Sequence, residues 1–503
     1  MIKGGFDPMY LNEKYLQNKD GFHTYINNIK RNSKWDIYTI TNNTLIKNPY
    51  LSTFPLNFFL SKSPKDSIVR LLIRNFVLYY IKGFYYFISY FISYLIFKFY
   101  GKRIDNSKIE NIVDTFCVVD NVNNLGYYKE AYLSGIYEIL DDFNKKYFVL
   151  LRLYGINKNP FKLIKMIKII NKDSKNFIFE YDVFELFDFL MLFWMYAAYP
   201  FKTLRLFQKN KNKYDQIFNK SLMQDISKFN FQSFVRYIVG KNLAKLQNIK
   251  NIYSWSEFQV IERSFNLGIR RHNKNIKIYA IQAFIGYEIY FNAIVDDLDF
   301  QMLSSPHKVF VNGKHYLQKR NQVMYDICPS FRYQKIFEFD GIRSESNILC
   351  LGSYVLNDTY NMLKILSSLK MDIVFKNHPS VNLSSFGRLP NNINVSNEEI
   401  YKLFENSKIV ICTASGTAVE AVACGLSVII IASFDNFTAN PLVDIGKGEI
   451  WDLVYDFDEL DTVLNILLKF RNSNPQKVNN LSAWYRENFF TKITKRNLDK
   501  VFV

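Results

Sequence analysis

Thr413-Ala414-Ser415-Gly416-Thr417-Ala418-Val419-Glu420-Ala421 directly follows the apolar run 408–412. A β-branched run ending in small and hydroxyl residues, then in helix formers, predicts strand, tight turn and helix. Ser415 and Thr417 can cap that helix, and Gly416 lets the backbone approach a ligand closely. Free N–H groups and the positive end of the helix dipole would then point out of the strand's carboxyl edge, which suits a phosphate. Glu420 follows within the first turns, close enough to accept from a ribose diol. A Ser-capped core helix with a solvated Glu is the plainer alternative.

Two further polar clusters close predicted strands. Gly352-Ser353 follows the run 347–351, and Lys376-Asn377-His378-Pro379 follows 372–375. From about residue 346 the chain alternates strands (347–351, 372–375, 392–395, 408–412, 427–431) with helices over 358–369 and 398–406. Continuous apolar strands alternating with helices predict an α/β fold with a parallel, doubly wound sheet, whose ligands lie outside the strands' carboxyl ends.

The first two-thirds repeats this grammar less cleanly. A strand at 116–119 ends in Asp120, with a helix over 128–144 and a strand at 147–153. Residues 251–253 lead into Trp255-Ser256-Glu257-Phe258-Gln259 and a helix reaching Arg271. A strand at 276–281 runs into Gln282-Ala283-Phe284-Ile285-Gly286-Tyr287, and another covers 308–311. Two such units, joined near 337–346, divide the chain into 1–340 and 341–503, with the last helix able to pack back on the first unit.

At 503 residues the chain exceeds what one core usually serves. The net charge of +18 calls for an anionic partner. Acidic membrane surfaces and phosphorylated substrates qualify, whereas the absence of any nucleic-acid-binding signature puts nucleic acid last. The five cysteines lack metal or redox spacing and read as reduced core residues of a cytoplasmic protein. The first thirty residues lack the apolar core of a signal peptide.

Two apolar insertions interrupt the first unit. Residues 68–100 contain the uncharged stretch 83–97 between Lys82 and Lys98, with Arg70, Arg74, Lys102 and Arg103 nearby. That stretch is short for a spanning helix and suits one lying in a membrane interface; spanning and ordinary core remain open. Residues 184–201 contain Asp188 and end near Pro200, which favours a buried or interfacial helix.

The segment 414–421 resembles the donor-site turn of GT-B glycosyltransferases, especially lipid A disaccharide synthase. Phe375-Lys376-Asn377-His378-Pro379 resembles the His-Pro motif of bacterial sialyltransferases, capsule Kdo transferases and CDP-glycerol glycerophosphotransferases. The segments 255–263 and 282–287 look like a bacterial surface-carbohydrate biosynthesis family of the same fold. The resemblance covers roughly residues 250–435. It implies two Rossmann-like domains facing a cleft, with a nucleotide-sugar donor held mainly by the second. It further implies that His378 contacts donor phosphate or nucleotide and that Pro379 shapes its loop. In the same resemblance Ser415, Gly416 and Thr417 bind phosphate, Glu420 meets the ribose, and Gly352 and Ser353 lie against the sugar phosphates. The paired-acid-Gly motif of sialyltransferases is missing; Phe339-Asp340-Gly341 is its nearest echo.

Inverting transfer, itself implied by the resemblance, needs a base for the acceptor hydroxyl and groups that carry charge on the departing phosphate. Glu257, opening a helix with Trp255 and Gln259 able to flank a sugar, is the preferred base, or else merely favours the helix's positive end; Asp120 is the second choice. His378 could offset phosphate charge or serve only its loop, with Lys376 assisting or solvated. Gln282 and Tyr287 can line the acceptor cleft, while Arg263 and Arg270 either bind an anionic acceptor or face solvent. Asp296-Asp297-x-Asp299 reads as a solvated turn, so a metal-independent enzyme without cofactor is expected. The expected partners are a CMP- or UDP-linked donor, a glycan or lipid-linked acceptor and the anionic cytoplasmic face of the inner membrane. A polyol-phosphate transferase with a CDP-linked donor, a nucleotide-sugar epimerase and an inactive assembly subunit are the alternatives.

Overall fold

The computed structural model describes residues 7–102, 109–154, 159–339, 347–367, 369–434, 436–455 and 458–502. The first sheet holds β1 (Asn111–Cys117), β2 (Tyr147–Leu153), β3 (Phe177–Phe179), β4 (Asn251–Trp255), β5 (Lys277–Ile281), β6 (Lys308–Val311) and β7 (Met324–Ile327). Their spatial order is β3-β2-β1-β4-β5-β6-β7. The second holds β8 (Asn347–Leu351), β9 (Ile373–Lys376), β10 (Ile393–Val395), β11 (Ser407–Cys412), β12 (Ser427–Ile431) and β13 (Trp451–Val454), in the order β10-β9-β8-β11-β12-β13. The pairings of both sheets are parallel. Both orders are doubly wound, reversing between β1 and β4 and again between β8 and β11. Two doubly wound parallel α/β sheets are thus present, as the sequence led one to expect.

Strands of the second sheet are buried on both faces, as their unbroken apolar runs require. Leu349, Leu351, Val410 and Ile430 enter one core, Ile348, Cys350, Ile411 and Ile429 the other. The first of these also receives Val309 and Val311 of β6, so the two halves share it. Phe437 and Ala439 of the second half in turn join the core of the first. Phe502, in the helix Lys495–Phe502, packs its ring 6.0 Å from Phe143 and 5.3 Å from Tyr253. All five cysteines are buried, and none is in a disulfide.

Several elements differ from expectation. β1 begins at Asn111, well before the apolar run at 116–119, because Asp114 and Thr115 are buried with polar partners. The helix expected over 128–144 is replaced by a turn and the short helix Ile136–Asp142. Glu130 draws in the N–H groups of Tyr132 and Leu133 and the hydroxyls of Tyr128 and Tyr137, which holds a turn in place of a helix. The helix Pro8–Asn32 was not foreseen. The first insertion is the helix Ile68–Tyr100 and the second the helix Asp188–Thr203. They cross where Gly83 leaves room for Tyr196, whose ring stacks 4.8 Å from Tyr79. Among the described residues no helix is long and apolar enough to cross a membrane. Asp340, Gly341 and the junction expected at 340/341 lie outside the described residues.

Candidate active-site cleft

β4 ends at Trp255, at the reversal of strand order in the first sheet, and Ser256–Gln259 turn the chain into the helix Val260–His272. Phe258 takes a left-handed backbone (φ 56°) with its ring buried, a strained arrangement that needs firm support. Support comes from a buried charge cluster beneath the loop. Arg152 donates to Glu262 and to the Trp255 carbonyl, each at 2.5 Å, and its Nε lies 3.4 Å from Asp114. Arg236 donates to Asp114 at 2.7 Å and to Glu180 at 3.1 Å, and Ser254 donates to Asp114 at 2.7 Å. Glu262 in turn accepts the Gln259 N–H at 2.9 Å, closing a capping box.

On this loop the Glu257 carboxylate accepts from Gln259 Nε2 at 2.5 Å, and the same nitrogen reaches the Tyr290 hydroxyl at 3.1 Å. Glu257 is half-buried, and desolvation, with repulsion from Glu262, pushes its pKa up from 4.5 to about 7; Gln259, Arg152 and Arg332 oppose the rise. A carboxyl poised there can exchange a proton near neutral pH. Gln259 thus orients Glu257, whereas Trp255 turns away from the cleft. Its indole is buried between Phe116 (4.5 Å) and Tyr132 (4.8 Å), so it cannot flank a sugar. Asp120 is exposed and paired with Lys162 at 2.8 Å, without the shielding that Glu257 has. Gln282 is buried at the end of β5. Arg263 and Arg270 neither face solvent nor remain open to an acceptor. Arg263 pairs with Asp299 at 2.6 Å and Arg270 donates to the Ser305 carbonyl. The expected solvated turn is corrected too: Asp296 caps a helix, and buried Asp299 also binds Lys30.

The second sheet's reversal point carries the loops after β8 and β11. Gly352 sits at a close approach: a Cβ there would crowd the His378 backbone nitrogen at 3.2 Å and the Phe375 ring at 3.3 Å. Ser353 is buried and accepts the Val355 N–H, so it shapes the loop and does not face a ligand. His378 Nδ1 accepts the Ser380 N–H at 3.2 Å and lies 2.7 Å from its hydroxyl, which leaves the proton on Nε2. Burial and the charge of Arg332 lower its pKa from 6.5, so it offers a neutral N–H donor and not a cation. Pro379 is exposed beside it, and Lys376 is turned away to the Glu398 carbonyl.

The helix Thr417–Ala423 starts from Gly416 with no side-chain cap, contrary to the expected Ser415 or Thr417 cap. Ser415, Gly416 and Thr417 are partly exposed. Gly416 faces the first half directly: a Cβ there would lie 2.8 Å from Ile285 and 3.5 Å from the Tyr287 hydroxyl. The Tyr287 hydroxyl thus lies against the Gly416 turn, between the two halves. Glu420 is buried, accepts from Tyr401 at 2.7 Å, and has its pKa raised by burial.

Contacts run across the cleft without a break. From Glu257 they pass through Gln259 to Tyr290, then Tyr50 (5.5 Å), Tyr354 (5.3 Å) and His378 (6.1 Å). Arg332, in the segment Phe331–Glu338, is close enough for its charge to lower the pKa of Glu257, Glu420 and His378 alike. Sequence reasoning missed Arg332, Tyr50, Tyr290 and Tyr354, none of which sits in a recognisable motif.

No family model matches the chain, and no curated protein matches it. Solved structures of similar architecture include MurG of Acinetobacter baumannii, at 10% identity and a TM-score of 0.39, covering 78% of this chain and 99% of that one. The wall teichoic acid polymerase TagF stands at 9% identity and 0.37, covering 84% and 95%. A UDP-N-acetylglucosamine 2-epimerase stands at 11% and 0.39, covering 75% and 90%. Likenesses of this strength carry no reading of the chemistry.

Proposed function

We propose that this chain is a glycosyltransferase moving a sugar from a CMP- or UDP-linked donor to a surface polysaccharide or lipid-linked glycan, with inversion and without a required metal ion. The observation that carries the reading is the juxtaposition, across one cleft, of a carboxyl poised near pH 7 with the loops at the second sheet's reversal point. Glu257 takes the acceptor proton, held in position by Gln259. The Nε2–H of His378 and the uncapped amides around Gly416 receive the nucleotide phosphate, with Tyr287 moving off Gly416 as donor enters. Glu420, held by Tyr401, shapes this end of the cleft.

The chain is further proposed to work at the cytoplasmic face of the inner membrane. The helix Ile68–Tyr100 buries Leu71, Tyr79 and Tyr90 but exposes Val69, Ile73, Ile81 and Phe84. Trp194 and Phe187, on and just before the helix Asp188–Thr203 that packs against it, are exposed too, and Arg70, Arg74, Lys82 and Lys98 are exposed on the first helix, as an anionic interface would favour.

The test is a melting-curve screen with CMP, CDP, UDP and GDP. A nucleotide at a hundred times its dissociation constant stabilises a folded protein by about 2.7 kcal/mol. A response to CMP or UDP, together with lost turnover but retained nucleotide binding in Glu257→Gln, supports the reading. Silence to all four refutes it, and a response to CDP alone would favour a polyol-phosphate transferase.

A further inference from the structure

Resting on that reading, we infer that Arg332 is the residue that binds a phosphate oxyanion of the nucleotide substrate at the centre of the cleft. Its side chain is open to solvent, yet it stands inside a protein wall. The guanidinium lies 5.3 Å from the centre of the Tyr132 ring and 5.7 Å from that of Tyr333. Among the described residues no carboxylate oxygen is within ion-pair distance, and none of its N–H groups bonds to protein. Other arginines near this loop are consumed: Arg152 by Glu262, Arg236 by Asp114 and Glu180, Arg263 by Asp299. Arg332 alone of these keeps its donor fork, the geometry that grips phosphate oxygens in pairs.

The backbone that presents it is fixed. Ser330 donates its N–H to the Thr491 carbonyl at 2.9 Å and its hydroxyl to the Asn312 carbonyl at 2.8 Å, and it accepts the Thr491 N–H at 2.9 Å. Phe331 is buried. The segment Phe331–Glu338 packs against the helix Thr417–Ala423 that follows the Gly416 turn. Arg332 is therefore anchored in the first half and faces the second. A phosphate arriving between them gains a cation that pays little ordering entropy, because its neighbours already hold its base.

Titration calorimetry on the full chain, with CMP, CDP, UDP and GDP as probes, tests this in wild type, Arg332→Gln, Arg332→Lys and Lys335→Gln. Lys335, exposed and paired with Glu399 at 3.1 Å on the same segment, is the charge control. For the nucleotide that binds wild type, Arg332→Gln is expected to weaken affinity tenfold or more, which corresponds to about 1.4 kcal/mol. Arg332→Lys should fall between the two, and Lys335→Gln should match wild type. Unchanged affinity in Arg332→Gln overturns the inference while leaving the proposed function standing. Should that variant fail to fold, Arg332→Lys decides, and wild-type affinity there overturns it equally. Failure of wild type to bind any of the four nucleotides removes both.

Discussion

Replacing Glu257 with Gln isolates the one carboxyl on which the proposed chemistry turns. In the folded chain its pKa is raised from 4.5 to about 7, chiefly by desolvation and then by Glu262. The folded state thus binds this proton more tightly than the unfolded state. Stability is fully retained below 4.5, falls as pH climbs towards 7, and the loss is complete above it. At 1.36 kcal/mol for each tenfold change in proton affinity, the penalty at alkaline pH is about 3 kcal/mol, reduced to about 2 kcal/mol by solvent screening at the cleft mouth. Gln carries no charge at any pH and escapes that penalty. Urea denaturation of both proteins at about pH 4.5 and about pH 8 measures the difference. Glu257→Gln should match wild type at the lower pH and exceed it by about 2 kcal/mol at the higher. A gap that does not change with pH would show that Glu257 is ordinarily solvated and unsuited to act as the base.

Two further outcomes follow from other parts of the molecule. Arg152→Met removes the arginine paired with Glu262 and one of the two paired with Asp114 while both carboxylates stay buried, so it should cost about 3–5 kcal/mol in denaturant unfolding. Trp194→Glu places a charge on the exposed face beside the helix Ile68–Tyr100 and should reduce cosedimentation with anionic vesicles severalfold, without lowering the melting temperature. Undiminished vesicle binding would remove that face from any membrane role.

Strands at 308–311, 347–351 and 427–431 were legible because their runs are apolar almost throughout, and 147–153 was legible despite Arg152, whose charge is paired inside the fold. β1 was displaced for the opposite reason: Asp114 is tolerated in its middle only because Arg236, Arg152 and Ser254 neutralise it, and those partners come from three other elements. The place of Glu257 between a strand and a helix was legible. The opposite fates of Trp255 and Gln259 were not, since they depend on which face of the sheet the strand presents and on how the Phe258 turn redirects the chain. Arg332 was invisible because an unpaired cation is a property of its neighbours in space and leaves no mark on its neighbours in sequence.

The N-terminal helices do more than precede the first sheet. Tyr15 and Phe59 close around Phe437 of the second half, at 6.3 and 5.7 Å, and Tyr50 meets Tyr354. This is an apolar clasp bridging the two lobes, so any rotation of one lobe against the other would have to strip Phe437 of its aromatic neighbours and wet them. Breathing of the cleft is therefore expected as a slide of tyrosine rings past one another, and removing the first helix would open the jaw by taking Tyr15 from Phe437.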